Sequence, residues 1–153
     1  TWLDSALDAD LPVLGVCFGH QLLAVALGGS VETMGQDELG YRPMLHDGDP
    51  VFETVGNPFV AFATHSDRVT ELPSGSRKIA WNDFGVQGFR HGNRVGVQFH
   101  PEYDIETAFL ELRNNDDVDT SEWKTLLSDA TEQCPAGRTE AIAVFDNFAE
   151  VSV

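Results

Sequence analysis

The sequence predicts an α/β protein, an open mixed sheet flanked by helices, and three observations carry that expectation. The first is a strand–turn–helix signal near the start. Pro12-Val13-Leu14-Gly15-Val16 is a short apolar run, Cys17 follows with glycines on both sides, and an apolar segment with helical content begins at once. The second is a pair of strand-like runs that each lead into a histidine-bearing polar motif. Phe59-Val60-Ala61-Phe62-Ala63 leads to Thr64-His65-Ser66-Asp67, and Val95-Gly96-Val97-Gln98-Phe99 leads to His100-Pro101-Glu102. The third is a hairpin signal, His91-Gly92-Asn93 between residues 85–90 and 94–99, with Gly and Asn where a left-handed turn is wanted.

Taken in order, residues 1–10 read as helix, with Trp2, Leu3, Ala6 and Leu7 on an apolar face. The chain opens without Met, as if in a helix already under way, so it is expected to be an N-terminally truncated piece of a longer polypeptide. The helix after Cys17 should stop at Gly28-Gly29. Residues 30–34 and 38–45 read as two strands, and Pro43 confines the second to an edge or bulge. His46-Asp47-Gly48-Asp49-Pro50 reads as a solvated turn with no metal. A strand at 77–81 precedes the hairpin. Beyond it, Ile105, Ala108, Phe109 and Leu112 repeat at helix spacing, and Ser121 is a candidate cap for a helix through Trp123, Leu126 and Leu127. After Pro135-Ala136-Gly137, the segment with Ala141, Ile142, Val144, Phe145 and Phe148 can pack on the sheet.

The chemistry gathers around Cys17. A cysteine at a tight strand-to-helix turn is exposed and strained, and the unpaired N–H groups of the first helical turn can stabilise a thiolate or an oxyanion beside it. Gly15 and Gly19 are expected because a side chain at either place would crowd the turn. Residues i and i+2 of an extended chain share a face, so Glu102 can reach the imidazole of His100. A thiol with a base that an acid orients is the triad logic in its cysteine form. Gln21 lies one helical turn after Cys17 and can face the same pocket, whereas His20 reads as a packing or capping residue. His65 reads equally as a structural histidine or a binding residue.

Gly15 to Gln21, Thr64-His65-Ser66-Asp67 and Gly96-Val97-Gln98-Phe99-His100-Pro101-Glu102 together resemble the class I, triad-type glutamine amidotransferases. The resemblance extends to stand-alone type 1 amidotransferases and to the glutaminase part of GMP synthase. It implies a flavodoxin-like sheet whose first strands this chain lacks, and one amidotransferase domain over residues 1–153. It assigns catalytic roles to Cys17, His100 and Glu102, and substrate-binding roles to Gln21 and to the backbone of Ser66 and Asp67. Phe18, next after the nucleophile, would supply an oxyanion N–H. Glutamine is the implied substrate, and a synthetase partner or domain the implied ammonia acceptor. No cofactor and no metal are called for. A γ-glutamyl peptide hydrolase and a non-catalytic subunit on the same scaffold remain open alternatives.

Composition narrows the setting. Asp and Glu number 25 against 9 Lys and Arg, for a net charge of −16, and the only lysines are Lys78 and Lys124. Such a surface repels nucleic acid and anionic lipid, so neither is expected as a partner. Its self-repulsion would be relieved by concentrated salt, which points to a salt-rich cytoplasm. Cys17 and Cys134 make no disulfide framework, in keeping with a reducing interior, and Cys134 in its loop is read as incidental.

Overall fold

The computed structural model describes residues 2–114 and 140–151, with 125, 128 and 132 between them. The helix expected through Trp123, Leu126 and Leu127, its cap Ser121, and Cys134 lie outside the described residues.

Two short elements open the chain, α1 (Trp2–Asp8) and β1 (Val13–Val16), and α2 (Phe18–Ala26) follows Cys17 directly. Leu3 and Ala6 of α1 are buried, as their spacing predicts, but Trp2 is 79% exposed and leaves the apolar face one residue shorter than expected. The strands β2 (Ser30–His46), β3 (Phe59–Glu71), β4 (Arg77–Asn82), β5 (Gly85–His91) and β6 (Arg94–Val97) complete a six-stranded sheet in the order β1-β6-β5-β4-β2-β3. Among the described strands only β1 and β6 are parallel, so the sheet is mixed, as predicted. The hairpin between β5 and β6 turns at Gly92-Asn93, where His91 pairs with Arg94. Helices α3 (Ile105–Asn114) and α4 (Ala143–Val151) flank the sheet, α4 entered through a 3₁₀ turn at Glu140–Ile142.

The two strands read at 30–34 and 38–45 are one strand with a large bulge. Thr33 pairs with Asp67 and Glu38 with His65, so the four residues between 33 and 38 on β2 stand against Ser66 alone on β3. The polar run Gln36-Asp37 hid the continuity. The bulge fixes which residue of β2 faces His65, because side chains alternate faces along a strand. Pro43 pairs with Val60 on β3, while β4 joins β2 only at Leu45 and His46, so the ring sits where β2 has no second neighbour.

Each face of the sheet carries its own core. Met44, Val51, Phe52, Phe59, Ile79, Val95 and Phe99 are buried with Val144 of α4, and Leu23 and Ala24 of α2 are buried with Leu3, Val69 and Phe89. A smaller cluster of Tyr41, Phe62 and Ala108 seats α3. Phe62, Phe89 and Phe99 are fully buried, and burial of a Phe side chain contributes roughly 1.5–3 kcal/mol.

The acidic turn before the 3₁₀ segment Pro50–Phe52 is not solvated as expected. The Asp49 side chain is wholly buried and accepts from Arg90 Nε at 2.7 Å, Arg90 Nη2 at 2.6 Å, Arg77 Nη2 and the amide of Val51. Burial alone would raise its pKa, but these donors hold it below the usual carboxylate range. The unfolded chain therefore binds the proton more readily. The stability this cluster provides is complete above the ordinary Asp pKa and is lost as pH falls through the native value. Asp49→Asn should cost about 3–5 kcal/mol at neutral pH, since it strands Arg90, and should flatten the acid limb of the stability curve; urea unfolding between pH 3 and 7 reads both.

Candidate active site

Between β1 and α2 the backbone of Cys17 takes φ 50° and ψ −106°. A residue other than glycine in such a region costs roughly 1–3 kcal/mol and persists only where its surroundings over-determine it. Two features do so. The Cys17 amide donates to Val97 O at 2.8 Å, which ties the turn to the end of β6. Gly15 lets α2 fold back on β1, for a Cβ at that position would lie 2.5 Å from Gly19 O. Crowding does not explain Gly19, where a Cβ would meet nothing within 4 Å. The turn is tight against the strand and open on the side of residue 19.

The first amide of α2 to bond backwards is that of Gln21, to Cys17 O at 3.2 Å, so the amides of Phe18, Gly19 and His20 precede the intrahelical ladder. These are the N–H groups available to an anion beside Cys17. His20 is fully buried, its ring 5.1 Å from that of Phe89, and burial pushes its pKa down to about 4. It packs rather than binds, as expected. It also accounts for Gly96, since a Cβ there would stand 2.6 Å from His20 Nδ1.

His100 arrives from the other side. After β6 the chain turns toward β3, and His100 N donates to Phe62 O at 2.8 Å in an isolated antiparallel bridge. That contact joins the segment after β6 to the strand at the far end of the sheet order, so the sheet curls around the site. His100 and Glu102 were expected on an extended chain. Instead Pro101 and Glu102 form a turn, with Tyr103 N donating to His100 O at 3.4 Å. The pair meets nonetheless, His100 Nδ1 lying 2.8 Å from Glu102 Oε1. Nε2 is left for Cys17. The Tyr103 ring lies 4.4 Å from His100 and 5.3 Å from Phe62, which sets the plane of the imidazole.

Burial by itself would lower the pKa of His100. Its interactions with the Cys17 and Glu102 side chains outweigh burial and raise it to about 9. For Glu102, burial works upward, and the bond to His100 holds the carboxyl below its ordinary value. An imidazole this basic is a strong acceptor for a thiol proton and is cationic at neutral pH.

Cys17 is half-buried, with Sγ 3.9 Å from Thr64 O and 3.7 Å from Gln98 Nε2, which donates to it. Thr64, His65 and Ser66 line a cavity of about 100 Å³ together with Asp37, Glu38 and Leu39. The motif at 64–67 therefore borders the cysteine, but from the middle of β3 rather than from a strand end, because β3 continues to Glu71. Gln21 is buried, and its Nε2 donates to Asp67 O at 3.0 Å and to Gln98 Oε1 at 3.2 Å. That nitrogen is committed to the protein, so Gln21 holds the Asp67 backbone in place. Ser66 is exposed, and Asp67 Oδ1 accepts from Thr33 Oγ1 at 2.7 Å. A larger groove of about 450 Å³ between β2 and β4, lined by Arg42, Met44, Trp81 and Phe84 among others, includes none of Cys17, His100 or Glu102.

Three residues at the site escaped the sequence reading. Gln98 had a signal, since it stands two residues before His100 in an otherwise apolar run. Tyr103 and Glu38 had none, because an aromatic after a turn and one acid in an acidic chain are unremarked in any sequence.

These features define a class, α/β proteins whose cysteine sits on a strand-to-helix elbow and faces a histidine–carboxylate pair carried just beyond a second strand. Within it, the chain belongs to the family described as Glutamine amidotransferase class-I, which matches residues 2–116. The glutamine-hydrolyzing GMP synthase subunit of Methanococcus vannielii is 40% identical over 114 residues, 71% of this chain and 60% of that protein. Its counterpart in Methanocaldococcus jannaschii, of the same description, is 39% identical over 104 residues, 65% of this chain and 55% of that one. The chain thus spans little more than half the length of these relatives. A glutamine amidotransferase from Thermotoga maritima superposes with a TM-score of 0.77 at 24% identity, covering 99% of this chain and 66% of that one, and shows the same fold.

Proposed function

We propose that the protein hydrolyses the side-chain amide of glutamine and hands the ammonia to a synthetase partner or domain. The observation that carries this reading is the convergence on Cys17 of His100, oriented by Glu102 at 2.8 Å, at an elbow that leaves the Phe18 amide free of the helical ladder. His100 takes the Cys17 proton, and the thiolate attacks the amide carbon of glutamine. The Phe18 N–H supports the oxyanion; losing one such donor typically costs about 100-fold or more. The imidazolium then protonates the departing nitrogen, ammonia leaves, and a γ-glutamyl thioester remains. Water gives a proton to His100 and attacks the thioester, which releases glutamate and returns the thiol. Glutamine and water become glutamate and ammonia, and no cofactor or metal enters the balance.

The backbone of Ser66 and Asp67 would hold the amino-acid end of glutamine, with Gln21 bracing Asp67 through its carbonyl. The relatives from Methanococcus vannielii and Methanocaldococcus jannaschii are glutamine-hydrolyzing GMP synthase subunits, and their names support a GMP-forming synthetase as the ammonia acceptor. Among the described residues no helix is long and apolar enough to cross a membrane. A Cys17 that must stay a free thiol supports a reducing compartment, for which the reading takes the cytoplasm.

The test is release of glutamate and ammonia from glutamine by the full-length protein in molar KCl, beside a γ-glutamyl peptide. Turnover of glutamine alone is expected. Cleavage of the peptide without release of ammonia from glutamine would make the protein a γ-glutamyl hydrolase, and turnover of neither would make it a non-catalytic subunit.

The net charge of −16 sets the medium for that assay. Mutual repulsion of surface carboxylates is screened within about 3 Å in molar salt, against about 10 Å at 0.1 M. The thermal unfolding midpoint should therefore climb as KCl rises from dilute to molar. A flat or falling midpoint would remove the argument for a salt-rich cytoplasm.

A further inference from the structure

Glu38 is wholly buried, and so nearly is the side chain of His65, its cross-strand partner on β3. Both carboxyl oxygens of Glu38 are engaged. Oε1 accepts from Asn82 Nδ2, and Oε2 lies 2.7 Å from Gln87 Nε2 and 2.8 Å from His65 Nε2. The other ring nitrogen, His65 Nδ1, lies 2.9 Å from Asp67 O. A backbone carbonyl only accepts, so Nδ1 must carry a proton. Nε2 then faces a carboxyl oxygen with two possibilities. Either Nε2 is protonated too and the pair is imidazolium and carboxylate, or Nε2 is bare and Glu38 is a carboxylic acid that donates to it. Both place a single proton between Nε2 and Oε2.

Burial gives the same answer independently. An ionised carboxylate out of water is costly unless an opposite charge neutralises it. The hydrogen bonds to Glu38 come from two amides and one imidazole, so the imidazole is the partner in these bonds that can supply the charge.

The pair leads into the site. From His65 Nδ1 the chain of bonds runs to Asp67 O, from Gln21 Nε2 to that same oxygen at 3.0 Å and to Gln98 Oε1 at 3.2 Å, and from Gln98 Nε2 to Cys17 Sγ at 3.7 Å. Asp67 O is held by two donors from two elements, and without the shared proton the one remaining ring proton would be drawn to Nε2 by the Glu38 carboxylate, leaving Nδ1 bare against Asp67 O. We propose that Glu38 and His65 are a proton-sharing positioning pair that fixes the Ser66–Asp67 backbone for the amino-acid end of the substrate, an inference that rests on the glutamine reading above. The pair does not touch the reacting atoms. The bulge of β2 opposite Ser66 exists, in this account, to bring Glu38 into register with His65.

Nitrogen-15 NMR of the full-length protein with labelled histidine, assigned by a His65→Asn variant, reads the proton directly, together with the carbon-13 shift of the Glu38 carboxyl. Expected is a protonated Nδ1 with either a protonated Nε2 or a protonated Glu38. A ring bare at Nδ1, or any state with no proton between Nε2 and Oε2, overturns the pair. In Glu38→Gln, the KM for glutamine should rise tenfold or more, while the rate at which iodoacetamide alkylates Cys17 stays within twofold of the parent. An unchanged KM, or loss of both together, would reduce Glu38 to a structural residue and overturn the positioning role. If Glu38→Gln fails to fold, the NMR result on the unaltered protein decides. Absence of glutamine turnover in the parent strikes the proposed function and leaves the NMR result standing on its own.

Discussion

Cys17→Ala is expected to lower ammonia release from glutamine by about 10⁴-fold or more in the full-length protein, with the fold intact. Removing a nucleophile from a triad costs up to the order of 10⁶-fold, because base, acid and oxyanion donors have nothing left to act through. The elbow should survive, since alanine at φ 50° bears the same kind of backbone strain that cysteine already bears. The turn is held by the Cys17 amide and by Gly15, neither of which depends on the sulfur. Thermal midpoints of parent and variant should therefore agree within a few degrees while the activities do not. A variant that kept a tenth of the parent's ammonia release would place the chemistry elsewhere. The sulfur also supports His100, whose pKa its interactions raise against the lowering effect of burial, so in Cys17→Ala the histidine should titrate below 9.

Much of this site could be read before the structure because its main parts are local in sequence. An elbow needs only an apolar run, a small residue and a helix start, and residues 12–24 contain all three. His100 and Glu102 are two residues apart, and a pair so close meets in an extended chain or in the turn that the structure adopts. What the sequence could not convey is contact across strands. The length of β2 was hidden by a bulge whose residues look like a loop, and the pairing of Glu38 with His65 follows from that bulge alone. Asp49 looked like one more surface acid in a chain with 25 of them, and only the pairing of β4 with β5, which sets Arg77 opposite Arg90 and both against it, separates it from the rest. The Gly15 and Gly19 pair shows the same boundary on a small scale. Both flank the turn in sequence, but which of them faces backbone depends on where α2 lies.

Glu102→Gln should lower kcat/KM for glutamine at pH 7 by about 10²-fold and move its basic limb to lower pH. Replacement of the orienting acid in a buried triad has cost about 10⁴-fold, but the Glu102 side chain is 43% exposed, and solvent screens a charge so placed. The direction of the limb follows from the forces on His100. Burial lowers its pKa, and the Cys17 and Glu102 interactions together bring it to about 9. Taking away the Glu102 charge leaves burial opposed by less, so the imidazolium that protonates the leaving nitrogen is lost at a lower pH than in the parent. A glutamine oxygen can still accept from Nδ1 at the present 2.8 Å, so the ring keeps its orientation and the change isolates charge from geometry. Glu102→Ala removes both, and the further loss it shows is the share due to orientation. Rate profiles between pH 6 and 10 in dilute and molar KCl separate the two again, because salt screens the charge and spares the hydrogen bond. A basic limb that stayed near 9 in Glu102→Gln would assign the high pKa of His100 to Cys17 alone.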